Sequence, residues 1–409
     1  MTNLAYDMYQ LNQEKSGVSR LTLTDFRNYQ FLRINADADI IIIYGENGSG
    51  KTNILEAISF LTPGRGIRGA RLADIKRIVT PKNDEYSPET ISSLNWAVAA
   101  EVYQGDDIFT IGTAVEQNSK EIISDDDNEE EYRSFERRIV RINGCKISSQ
   151  AELGKYISAI WLTPQMDRLF RGGSQPRRSF LDRLVFAFDM EHAKRLIRFE
   201  HYYKEWFHLL KEGKGDDFWL CGLEENMASL GVAIAAARRE QTARLNTFIE
   251  KEPDDVFPSV KLELNGVVEK MLDTMPAIDA EDNYKKLLKS QRKKVRFSES
   301  IDGVNKTDFK VYYRKKKLPA ELCSTGEQKS LLISIILAQA KCQTIHKGFA
   351  PILLLDEVVA HLDDNKREAL LQKIRHIGAQ AWITTTNPEL FSSLKNEAQF
   401  LKIENNGAF

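Results

Sequence analysis

Residues 40–60, IIIIYGENGSGKTNILEAISF, pass from a β-branched apolar run into an amphipathic helix through a loop with almost no side-chain bulk. The run Ile40 to Ile43 has the pattern of a buried strand, and Ile54, Leu55, Ile58 and Leu61 recur at helical spacing. Between them lie Gly45, Glu46, Asn47, Gly48, Ser49, Gly50, Lys51 and Thr52, in the order G-x-x-x-x-G-K-[ST]. Glycines permit the positive φ angles that turn successive backbone N–H groups inward, and a helix N-terminus adds partial positive charge, so the loop is an anion cradle. Lys51 is expected to reach the β- and γ-phosphates of a nucleoside triphosphate, with the Thr52 hydroxyl as a ligand of Mg2+. A glycine turn that merely precedes a lysine needs neither flank.

The second half of such a site is expected at PILLLDEV, residues 351–358, a buried strand that ends in two acids. Asp356 suits Mg2+ and Glu357 suits a general base acting on the attacking water. The segment ELCSTGEQKSLLISIILAQAK, 321–341, opens with S-x-x-E, a capping box whose only necessary task is to satisfy free N–H groups at a helix start, worth ~1 kcal/mol. The same residues resemble the signature motif of the ABC ATPases, with Ser324, Gly326 and Glu327 matching and Thr325 in place of the first glycine. That resemblance implies a homodimer in which the signature helix of one copy completes the ATP site of the other, so that ATP joins the copies and hydrolysis releases them.

Net charge of −2 over 409 residues gives no global attraction to a polyanion, so any such attraction must come from local patches. Cys145, Cys221, Cys323 and Cys342 form no C-x-x-C pair and read as reduced, buried thiols. The opening residues hold no apolar signal core and no run approaches the ~18 residues of a membrane span, which points to the cytoplasm and to no membrane association. Strand patterns at 19–37, 94–116 (turning at Gly105-Asp106) and 137–148 (turning at Asn143-Gly144) precede helical patterns at 177–211 and 223–251. The acidic run SDDDNEEE, 124–131, reads as a solvated loop, and strand patterns resume near Val295. The expected organisation is a tail (1–17), a first ATPase half (18–165), a helical insertion (166–300) and a second ATPase half (301–409). The fold class is α/β: an ABC-type P-loop ATPase head, mixed β with a Rossmann-like core, plus a small mainly helical second lobe.

From Ser19 onward the chain resembles the RecF family of bacterial recombinational repair, especially its alphaproteobacterial form. The likeness rests on LTDFRNY (23–29), GENGSGKTNILEAISFLTPGRGIR (45–68), WLTPQMDRLFRGGSQPRRSFLDRLVFAFD (161–189) and LLLDEVVAHLDDNKREAL (353–370). It implies Gln165 as the Q-loop glutamine and Asp363 as the D-loop residue that couples two sites. Two departures stand out: GVNKTDF (303–309) lacks the family's Pro and His but keeps Asp308, and ITTTNPELF (383–391) offers Thr386 or Asn387 where many ABC enzymes have a switch histidine. Arg65, Arg68, Arg71, Arg177 and Arg178, with KKLLKSQRKKVR (285–296) and YRKKK (313–317), are basic patches suited to a phosphate backbone without sequence preference. The resemblance implies DNA binding and RecR- and RecO-type partners, with slow ATP turnover. A subunit energising a membrane transporter is the alternative, and 272 residues between Thr52 and Ser324 (324 − 52) weigh against it.

Overall fold

The computed structural model describes residues 14–77, 95–117, 136–213, 215–251, 256–296, 301–359 and 362–404. The acidic run 124–131 and residues 1–13 of the polar tail lie outside the described residues. The chain divides into two compact units, the first comprising Met1–Pro164 with Gln343–Phe409 and the second Gln165–Cys342.

In chain order the elements are β1 (Ser16–Phe26), β2 (Tyr29–Asn35), β3 (Ile40–Tyr44), α1 (Lys51–Ser59), β4 (Ala97–Gln104), β5 (Asp107–Gln117), β6 (Glu136–Ile142), β7 (Cys145–Lys146) and β8 (Ala159–Leu162). They continue with α2 (Ser174–Phe186), α3 (His192–Glu212), α4 (Asp217–Lys251), β9 (Val260–Asn265), α5 (Val267–Thr274), α6 (Ala277–Arg296), β10 (Asp308–Tyr313) and β11 (Leu318–Pro319). Last come α7 (Thr325–Lys347), β12 (Ile352–Asp356), α8 (Asp364–Ile377), β13 (Ala381–Thr385) and β14 (Gln399–Lys402).

The first unit holds two sheets. One is antiparallel, in the order β2-β1-β4-β5-β6-β7, and the other is parallel, in the order β14-β3-β13-β12-β8. The interior strands β3 and β12 are near-continuous apolar runs because both their faces are covered, whereas the edge strand β14 (QFLK) is only partly buried. Two-residue turns close the antiparallel hairpins at the expected places, and Asn143 (φ 49°) with Gly144 (φ 81°) both take the positive angles that a type I′ turn requires. The amide of Gln380 ties the sheets together, accepting from Val18 N at 2.8 Å and donating to Val18 O at 2.9 Å. Phe26, Phe60 and Trp96 meet edge-on or tilted, 5.5–6.1 Å between centroids, under the start of the glycine-rich segment 64–68.

The second unit is mainly helical but also contains the antiparallel sheet β11-β10-β9. Its core gathers Trp206, Met227, Ile234, Val268, Tyr284 and Val295. Val295 is therefore a correction: strands were expected to resume there, yet Tyr284, Leu288, Gln291 and Val295 are the buried row of α6. A row at i, i+4, i+7 and i+11 overrides the β-branched character of one residue. The boundary lies later than the sequence pattern places it, since the second unit runs on to Cys342 and so takes in most of α7. Cys145 is exposed on the short strand β7, whereas Cys323 and Cys342 are buried.

Candidate functional site

The loop after β3 is built on backbone that only glycine fills. A Cβ on Gly45 would strike the Ile403 carbonyl oxygen at 2.3 Å, and one on Gly50 (φ 105°) would meet the Asn28 side chain at 2.4 Å. Asn28 belongs to the turn between β1 and β2, and its Nδ2 donates to Ser49 O at 3.2 Å. Lys51 is only 4% exposed, and its Nζ donates to Gly45 O (2.9 Å) and Glu46 O (2.7 Å). Burial pushes its ammonium pKa down, while the carboxylates of Glu357 and Asp356 work the other way.

At the carboxyl end of the parallel sheet the Thr52 hydroxyl donates to Asp356 Oδ1 at 2.9 Å. Thr384, at the end of β13, donates to the same oxygen at 2.7 Å and accepts the Glu357 N–H at 2.9 Å. One hydroxyl thus fixes both acids. Glu357 takes φ 52°, a conformation that costs a non-glycine residue on the order of 1–3 kcal/mol and is held by the surrounding bonds. A cleft of about 660 Å³ lies alongside, lined by Gly45, Glu46, Asn47, Ser49, Thr386, Lys402, Ile403 and Glu404. That volume is in the range of small-molecule sites.

The residues fit a triphosphate with Mg2+. The Ser49 hydroxyl is buried with no hydrogen-bond partner, and Gly48 (φ 85°) has nothing within 4 Å of where a Cβ would lie. Thr52 and Asp356 present hard oxygen donors, the set Mg2+ takes when phosphates and water complete its shell. Among the described residues no cluster of three or more His, Cys, Asp or Glu could cage a metal alone.

Beside the loop helix, the Glu56 carboxylate is fully buried and receives Arg27 at 2.7 and 2.9 Å and Arg68 at 3.0 Å. Arg68 also donates to Asn53 Oδ1 (2.9 Å), and Asn53 donates to Asn28 Oδ1 (2.7 Å). Arg65, Arg68 and Arg71 all lie on the exposed segment after α1. The buried Arg138 holds the base of that segment, donating to Gly64 O at 2.6 Å and to Phe60 O; burial lowers its pKa to about 10.

The remaining expected residues fall in different settings. Ser324 and Glu327 form the capping box of α7: Ser324 N donates to Glu327 Oε2 at 2.9 Å and Glu327 N to Ser324 Oγ at 3.3 Å. The Lys316 ammonium, together with that N–H, holds the Glu327 carboxyl at about 2. Ser324 and Gly326 are exposed in this first turn. Gln165 is exposed in the short 3-10 helix Pro164–Arg168, and Asp363 caps α8 by accepting from Lys366 N at 2.9 Å. Of the two switch candidates, Thr386 lines the cleft, whereas the Asn387 side chain accepts from Glu389 N and is used as a cap.

Arg177 is a correction to the basic-surface expectation. It is 6% exposed, and its guanidinium is bound to Asp308 (2.7 and 3.0 Å) and to the carbonyls of Gly172 and Phe170. Asp308, kept where the surrounding motif departs from the family, is thus an internal anchor of the second unit. Arg178 is half-buried and donates to Thr307 O at 2.8 Å. The residue that sequence reasoning missed is Thr384, whose only signal is that ITTT closes an apolar run, as PILLLDE does.

Residues 17–407 match the RecF/RecN/SMC N-terminal domain family. A protein of Rhizobium rhizogenes named DNA replication and repair protein RecF is 41% identical over 392 residues, covering 95% of this chain and 97% of the relative. One of the same name from Agrobacterium fabrum is 40% identical over 395 residues, covering 96% and 98%. Two solved structures of the recombination mediator protein RecF in the RecFOR pathway share the fold. The one described as RecF-ATPrS has a TM-score of 0.76 at 20% identity, covering 97% of this chain and 98% of that one. The one described as RecF-ATP has a TM-score of 0.73 at 22% identity, covering 96% and 98%. The architecture is that of an α/β ATPase head carrying a second lobe.

Proposed function

The chain belongs to the RecF/RecN/SMC N-terminal domain family and, within it, to the DNA replication and repair proteins named RecF, and from that premise we propose an ATP-driven DNA clamp of recombinational repair. The junction of Thr52, Asp356, Thr384 and Glu357 carries this reading, because it sets a hydroxyl, a carboxylate and a second acid at the mouth of a loop shaped for phosphates. Lys51 neutralises phosphate charge, Thr52 and Asp356 hold Mg2+, and Glu357 takes the proton of the attacking water. Bound Mg2+ supplies charge neutralisation at the phosphates. The exposed turn Ser324–Gly326 serves the nucleotide of a second copy, Gln165 acts as the Q-loop glutamine and Asp363 as the D-loop residue that couples two sites. Arg65, Arg68 and Arg71 on the segment after α1, and Arg178 in the second unit, supply contacts to the DNA backbone.

The protein then works in the cytoplasm as a slow, DNA-stimulated switch that assists recombinase loading with RecR- and RecO-type partners. No helix among the described residues is long and apolar enough to cross a membrane. The transport alternative gives way to relatives named for DNA replication and repair over nearly the whole chain.

Analytical ultracentrifugation with ATP, Mg2+ and DNA tests the reading. The native chain dimerises, Lys51→Ala stays monomeric, and Glu357→Gln persists as a dimer after ATP is diluted. Unchanged association in either variant refutes the clamp. So does an absence of DNA affinity at low salt.

A further inference from the structure

The helical unit carries an aromatic and basic surface outside the nucleotide site. Phe218 is 91% exposed and Trp219 51% exposed at the start of α4. The adjoining Asp217 accepts Arg292 at 2.5 Å and lies 3.7 Å from Lys289, both on α6, and about two turns further on Glu225 accepts Lys285 at 2.8 Å. These pairs set α4 antiparallel to the lysine-rich helix, so a motif read separately at 285–296 runs alongside the start of α4, where Phe218 lies, while the Trp219 indole donates to Glu205 on α3 at 3.1 Å. Lys286, Lys293 and Lys294 point to solvent on α6, and among the described residues they take no ion pair. Gly222, one turn after Phe218 on the same helix, has nothing within 4 Å of where a Cβ would lie, which leaves the neighbourhood of the ring open.

We propose that Phe218, together with Lys286, Lys289 and Lys293 of the neighbouring helix, is a stacking platform for single-stranded nucleic acid, separate from the arginines near the nucleotide loop. Two physical points favour a single strand over an apolar or acidic peptide. A peptide side chain gains affinity by filling a concave seat, whereas a base needs only an open ring face, and Phe218 offers a face without a seat. Lys286 and Lys293 are seven residues apart, or about 10 Å along a helix, a separation over which a flexible strand can present successive phosphates. The proposal rests on the DNA-binding reading above, and it deepens that reading by giving unpaired strand its own site.

Fluorescence anisotropy with labelled oligo(dT) and with a blunt duplex, on the full chain, tests it. Phe218→Ala, at an exposed position, is expected to weaken oligo(dT) binding about ten-fold or more. Duplex affinity and ATP-dependent dimerisation should stay unchanged. Phe218→Tyr should restore binding and Phe218→Leu should not, which separates stacking from a merely apolar contact. Lys286→Glu with Lys293→Glu should flatten the salt dependence for oligo(dT) by a slope of at least about 1.4. Wild-type oligo(dT) affinity in Phe218→Ala overturns the proposal, and so does equal loss on duplex. Loss of binding to a labelled Asp- and Phe-containing peptide, with oligo(dT) affinity intact, also overturns it and identifies a peptide surface. The underlying reading fails separately, if the native chain binds neither DNA.

Discussion

In the first unit the buried cation Lys51 rests on two backbone carbonyls at the edge of an open cleft. In the second unit the buried cation Arg238 is enclosed, with two bonds to Asp182 (2.7 and 2.9 Å), one to Val304 O (2.8 Å) and Glu269 at 3.9 Å. Asp182 also meets the fully buried ring of His192 at 2.9 Å. Burial alone would push the Asp182 carboxyl up; the bond from His192 and the Arg238 charge outweigh it and hold the group below its usual range. Glu269 shows the opposite balance, since burial raises its pKa more than the Thr307 hydroxyl and Arg238 lower it. The same desolvation cost is therefore met in two ways. A charge committed to internal partners fixes the fold of the second unit, while a charge lodged on carbonyls in the first stays available to a ligand.

The contrast can be broken first by substitution. Asp182→Ala leaves Arg238 buried without its main partner and should cost ~3–5 kcal/mol in denaturant unfolding. Lys51→Ala should cost less, about 1–2 kcal/mol, because two bonds to carbonyls are lost while the cost of burying the ammonium is relieved. Equal losses would show that the two cations serve the same purpose. The next effect sharpens the functional side of the contrast. Thr384→Val removes the donor to Asp356 and the acceptor for Glu357 N–H, and should lower ATP turnover by roughly ten-fold or more with nucleotide affinity little changed. Turnover within two-fold of the native chain would detach Thr384 from the site.

The smallest effect concerns pH. Lys347, in the first unit, donates to Gly154 O at 3.1 Å, and burial lowers its ammonium pKa to about 8. The folded chain then favours the neutral amine, and between about pH 8 and the unfolded value near 10.4 the unfolded chain binds more protons, so stability rises with pH. The melting temperature should climb by about 2–4 °C across that window, and Lys347→Met should flatten the rise. A decline shared by both chains would mean that the ammonium keeps its charge in the fold.

Sequence reading reached furthest where chemistry is local. The phosphate loop places all its groups within eight residues, and the acids of β12 announce themselves by ending an apolar run. Thr384 stayed hidden because its role comes from parallel register: Asp356 pairs with Thr384 across β12 and β13, and no motif marks a hydroxyl that acts through a neighbouring strand. Arg177 read as surface charge because its partner, Asp308, lies 131 residues away. Val295 read as strand because one β-branched residue near a charged run says little until the buried row behind it is traced. Phe218 and the lysines of α6 likewise become neighbours only through antiparallel packing.

Strand β3 carries a consequence for how the chain is made. It is flanked by β13 and β14, so that Ile41 lies opposite Trp382 on one side and Gln399 on the other. On the ribosome, the phosphate loop emerges early but its sheet must wait for nearly the whole chain to be synthesised, while residues 165–342 can collapse as an uninterrupted stretch in the meantime. A nascent chain stalled before residue 381 therefore displays bare apolar strand edges, and truncation from the C-terminal side strips the cleft wall at 402–404 and uncovers β3 while the phosphate loop and the acids of β12 are still in the chain.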